Sequence, residues 1–63
     1  MKRIIFVKNL ETEEDVLKIE EALSHTLLDY SVSLPSKAVI VHGDNDALYT
    51  AKQAIAQAGY TIM

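Results

Sequence analysis

The chain contains no cysteine and no tryptophan, one proline, two glycines and one phenylalanine. Without cysteine there is no disulfide and no thiolate metal site, so neither staple is open to a small fold. With glycine only at Gly43 and Gly59, no glycine-rich loop can wrap a phosphate. Long apolar stretches are also missing. The opening "MKRIIFVK" holds an apolar run of Ile4 to Val7 only, too short for a secretory signal. Nothing approaches the roughly 20 apolar residues of a membrane helix. Positive charge is sparse, with six Lys and Arg against nine Asp and Glu and a net charge of −3. Only Lys2, Arg3 and Lys8 gather, on or beside one strand, so the basic stripe of a nucleic-acid binder is absent. These absences lead us to expect a cytoplasmic protein that neither binds nucleic acid nor inserts into a membrane.

What is present is a core. Hydrophobic residues make up 49% of the 63 positions, enough to rule against disorder. Residues 1–63 are read as one domain. A chain of this length buries only roughly 60% of the surface its unfolded form exposes, so its stability is narrow.

The pattern of residues divides the chain into six elements. "RIIFVK" is β-branched and aromatic, and its apolar run on both faces predicts a central strand. A helix starts at Thr12, with Val16, Ile19, Ala22 and Leu23 on one face and Leu27 one turn on, and Leu27 to Asp29 form its exit. "YSVSL" alternates, with Tyr30, Val32 and Leu34 on one side. "PSK" supplies a turn with Pro35 at its second position, and "AVIVH" is the next strand. Asp44 or Asn45 caps a second helix, whose inner face carries Leu48, Ala51, Ile55 and Ala58. Gly59 ends it in a left-handed conformation, and "YTIM" is a short last strand. The order βαββαβ predicts an α+β, ferredoxin-like sandwich: a four-stranded antiparallel sheet with two helices on one face.

Four stretches in that order resemble the heavy-metal-associated domain of copper chaperones and metal-pumping ATPases. "IEEAL" (19–23) is similar to the family's first helix, "SVSL" (31–34) to its second strand, "VIVHGD" (39–44) to its third strand and loop, and "AIAQAGYTI" (54–62) to its ending. The family's metal motif, Gly-Met-Thr-Cys-x-x-Cys, aligns with Asn9-Leu10-Glu11-Thr12-Glu13-Glu14-Asp15. Thr12 and Asp15 stand where the two cysteines would be, and Leu10 stands where the methionine would be. Neither Thr nor Asp supplies the soft thiolate that selects monovalent copper.

Two readings of the junction follow. In one, "TEED" is a capping box: Thr12 accepts from a first-turn N–H and Asp15 reaches back to the N–H of Thr12, while Glu13, Glu14 and Asp15 favour the positive end of the helix dipole. In the other, Glu11, Thr12 and Asp15 offer oxygen ligands to a divalent metal ion, with His25 or His42 as possible helpers. The residues show no catalytic constellation, and an enzyme is not expected.

The resemblance implies docking through the first loop and first helix, which places Leu10, Glu13, Glu14 and Tyr60 on a partner-binding surface. The partner would be a metal-pump domain or a second copy of the chain. Strand alternation gives a further surface. If Ile5, Val7, Val39 and Val41 face the helices, then Ile4, Phe6 and Ile40 face away and form a candidate self-association face. The functional expectation is a docking module of metal trafficking, with a carboxylate–histidine metal chaperone as the alternative.

Overall fold

The computed structural model describes all 63 residues. Strand β1 (Lys2–Phe6) leads to helix α1 (Glu13–Ser24), then β2 (Asp29–Ser33), β3 (Ala38–His42) and helix α2 (Asn45–Gln57). The sheet order is β1-β3-β2, with both pairings antiparallel. No helix is long and apolar enough to cross a membrane.

Register explains the burial. Arg3 pairs with Val41 and Ile5 with Val39, so these side chains share the helix side of the sheet. Ile5, Val7, Val39 and Val41 are buried there against Ile19 and Leu23 of α1 and Ala51 and Ile55 of α2. Alternation sends Ile4 and Phe6 to the opposite side, where each is about half exposed, 53% and 51%. Ile40 is the pairing partner of Ile4 and is half-buried beside it.

The connections follow from their residues. Between β2 and β3, the Lys37 N–H donates to the Leu34 carbonyl at 3.0 Å. Pro35 sits at the second position of this turn, where its fixed φ suits the chain, and Lys37 takes the left-handed φ of 51°. Asp44 caps α2 by accepting from the Ala47 N–H at 3.1 Å. Gly59, at φ 94°, lets the chain leave α2. The Tyr30 hydroxyl donates to the Glu20 carbonyl at 3.2 Å and ties β2 to α1.

Three expectations are corrected. The fourth strand is reduced to one bridge, Val7 with Ile62, held by the Lys8 N–H to the Thr61 carbonyl and the Met63 N–H to the Phe6 carbonyl, 2.8 and 2.9 Å. The chain turns at Lys8 and Asn9, so the ladder cannot run further in that direction. β3 lies between β1 and β2, and β1, expected as a central strand, has a second neighbour only at its end, where Ile62 and Met63 reach Val7 and Phe6; it is apolar on both faces because Ile4 and Phe6 form the open face. Leu27 is fully exposed rather than on the inner face of α1. The helix has already ended at Ser24, and the Thr26 hydroxyl donates to the Leu23 carbonyl at 2.6 Å, so helical spacing no longer applies.

Candidate functional site

The loop after β1, the first turn of α1 and the closing segment after α2 meet at one end of the sheet. Asp15 stands at their centre. Its Oδ2 accepts from the backbone N–H of Thr12 at 3.0 Å and of Glu11 at 3.1 Å. The Thr12 hydroxyl accepts from the Asp15 N–H at 3.2 Å, which completes the capping box. Oδ1 of Asp15 accepts from the Tyr60 hydroxyl at 2.6 Å, across 45 positions of sequence. Beside this contact, Asn9 Oδ1 accepts from the Thr61 N–H at 2.9 Å. The Asn9 side chain thus gives the closing segment a partner just past the point where β1 can no longer do so.

Both oxygens of Asp15 are therefore engaged, and the electrostatics follow. The Asp15 carboxyl is held down at about 2, first by the Tyr60 hydroxyl bond and then by the Glu11 N–H, with the Thr12 bonds adding to them and desolvation opposing. Tyr60 is pushed up to about 12, first by burial, then by its bond to Asp15 and by the negative charges of Asp15 and Glu14. The two shifts describe the same contact from its two sides: a neutral phenol donating to an ionised carboxylate.

A pH dependence results. A carboxyl lowered in the folded state contributes stability that is complete above its ordinary value of 3.8 and is lost as pH falls through about 2. A phenol raised in the folded state contributes stability that is complete below 10 and is lost as pH rises through about 12. Tyr60→Phe removes the largest cause of the Asp15 shift, so the Asp15 carboxyl should titrate closer to 3.8 in that variant, and acid unfolding should begin at higher pH. Side-chain carboxyl NMR on both proteins measures this directly. An unchanged Asp15 titration in Tyr60→Phe would contradict the contact.

The residues expected from sequence fall into distinct places. Thr12 and Asp15 are brought together as a cap. Glu11 joins them through its N–H, while its side chain is exposed. No group of three or more His, Asp or Glu side chains converges anywhere in the chain. His25 lies near Glu21, 3.5 Å away, at the far end of α1 with both side chains exposed, and His42 is exposed at the end of β3. The residues at the loop therefore do not fit a bound metal ion: the thiolates are absent and the Asp15 oxygens already have three donors.

The docking set is also corrected. Leu10 is completely buried and Tyr60 is 8% exposed, so neither side chain can meet a partner; Leu10 anchors the loop in the core and Tyr60 holds Asp15. Glu13 and Glu14 remain exposed on the first turn, with Lys18 reaching Glu14 at 3.6 Å. The role of Asn9 is not legible from its sequence neighbours. A polar residue at a turn was the only local signal, and its partner Thr61 lies 52 positions away.

No family model matches the chain, and no curated protein matches it. Two solved structures do. One is described as the CopZ metallochaperone, with a TM-score of 0.83 and 22% identity over 100% of both chains. The other is a heavy metal binding protein from Thermotoga maritima solved by NMR, with a TM-score of 0.85 and 22% identity over 98% of this chain and 91% of that one. The chain has the heavy-metal-associated fold. At this identity the likeness is one of fold, and here the heavy-metal-associated fold is built without a single cysteine.

Proposed function

We propose that this protein is a docking module linked to metal trafficking, in which the loop used by thiolate-bearing relatives for metal has become a hydrogen-bonded helix start. One observation carries the reading. Asp15, at the position of the second family cysteine, gives both oxygens to protein donors, two backbone N–H groups and the Tyr60 hydroxyl. A loop ordered in this way needs no ion to take its shape. Preorganised loops lower the ordering cost of association, so the surface remains suited to a protein partner.

That surface is acidic. Glu13 and Glu14 project from the first turn, and the chain carries a net charge of −3. Such charge steers a basic partner and acts mainly on the association rate. The partner proposed is a heavy-metal-associated domain of a copper-pumping ATPase, and no catalytic step is assigned to this chain.

The first test is an amide NMR titration with zinc and, under reducing anaerobic conditions, monovalent copper. The docking reading expects no saturable shifts at Asn9 to Asp15. Saturable shifts confined there, surviving physiological salt, would favour the alternative of a divalent-cation chaperone. The second test is charge reversal, Glu13→Lys with Glu14→Lys, against such an ATPase domain as the probe. Binding should weaken roughly three- to tenfold at low salt with the fold intact. Unchanged binding would remove this surface from the proposal.

A further inference from the structure

Strand β2 is an edge. It pairs with β3 on one side, and no strand lies on the other. Alternate N–H and C=O groups of an edge strand point outward and remain available to a second strand. The usual protections are thin here: "DYSVS" contains no Lys and no Pro. On the helix side of this edge lies a groove of about 300 Å³ lined by Glu13, Val16, Leu17, Val32 and Leu34. Leu17, one of its walls, is 64% exposed.

We infer that the β2 edge is a self-association site, in which two copies join their β2 strands antiparallel with Ser31 on the twofold axis. The strand is complementary to itself in that register. Tyr30 lies opposite Val32 of the second copy, both half-buried on the helix side. Asp29 lies opposite Ser33 of the second copy, so no acid meets an acid. Ser31 meets Ser31. Just beyond the strand, Leu28 approaches Leu34 of the second copy, and the fully exposed Leu27 lies beside the exposed Pro35. Strand alternation puts Tyr30 and Val32 on the helix side, and Leu28 and Leu34, flanking the strand, pack against the same core. In this register the half-buried Leu28 of each copy comes to the rim of the groove that Val32 and Leu34 line in the other. One register thus joins the strand edges and brings the two grooves to the same seam.

A register slipped by one residue would place the apolar positions opposite polar ones. A strand pair of five residues buries less than the roughly 1,600 Å² of a standard interface, so the dimer is weak and forms at high concentration. Each copy carries a net charge of −3, so added salt strengthens the association by screening repulsion.

The absence of cysteine makes the test clean. Single variants Ser31→Cys and Ser33→Cys place one thiol each on the same strand and the same sheet side. Opposed residues of an antiparallel pair have Cα atoms about 4.5–5.5 Å apart, within disulfide range. Under mild oxidation, Ser31→Cys should cross-link at least about tenfold faster than Ser33→Cys, because only the first thiol meets its own copy. In the native protein, amide shifts that depend on concentration up to about 1 mM should centre on Asp29 to Ser33, and Ser31→Lys should abolish them while leaving the monomer folded. Equal cross-linking rates, concentration-dependent shifts centred on Ile4 and Phe6, or no concentration dependence would each overturn the inference.

Discussion

Gly43→Ala is expected to cost roughly 2–4 kcal/mol, the sum of a packing overlap and an unfavourable backbone angle. A chain of 63 residues has roughly 3–9 kcal/mol in total at the usual range per residue, so this one methyl group would remove a large share. Gly43 stands between β3 and the α2 cap at φ 155°, and its N–H donates to the Met1 carbonyl at 2.7 Å. A Cβ built there would lie 2.6 Å from the Cβ of Ala47, a distance no side chain accommodates without movement. Ala47 cannot swing away, because its N–H is bound to Asp44 in the helix cap. The double variant Gly43→Ala with Ala47→Gly removes the overlap and leaves the angle. It should be more stable than the two single costs added together, by about 1–2 kcal/mol. Urea unfolding of the four proteins closes the cycle. A Gly43→Ala protein destabilised by less than about 1 kcal/mol would show that the turn relaxes freely.

Leu10→Ala should cost about 2–5 kcal/mol, as expected when a large core side chain is truncated. Leu10 has no exposed surface and belongs to the same buried cluster as Val7, Ile19, Ile55 and Tyr60. It is a loop residue with the burial of a core residue, and through it the whole junction is fixed to the domain. Leu10→Met keeps the volume and should stay within about 1.5 kcal/mol. The pair separates two roles. A surface contact would show unchanged stability in Leu10→Ala and altered binding. A core anchor shows lost stability, and exchange of the Glu11 and Thr12 amides should speed up in the same variant.

Much of the fold was legible because its signals are local. Clean alternation at Tyr30, Val32 and Leu34, the Pro35 turn, the Thr12–Asp15 box and Gly59 after α2 each act within a few residues. Their order sufficed for the topology. Three features were not legible. Leu27 fits a helical spacing, and only the earlier end of α1 at Ser24 releases it to solvent. The closing strand contains strand-forming residues, but its length depends on where its partner turns away at Lys8 and Asn9. Leu10 looks like an exposed tip by its place in a polar loop, while its burial comes from residues up to 50 positions distant. The site divides in the same way. The capping half, Thr12 with Asp15, can be read from spacing alone. The half contributed by Tyr60 and Thr61 requires the fold.

The bond between Asp15 and the Tyr60 hydroxyl, with Asn9 to Thr61 beside it, has a kinetic consequence. Both contacts span more than forty positions, so they form only after the intervening chain has been ordered, and loop closure of that length is costly to attempt early. They are expected to belong to the late side of the folding barrier, where a lost contact speeds unfolding and leaves the folding rate nearly unchanged. The junction then sets the residence time of the folded domain more than the speed at which it is reached.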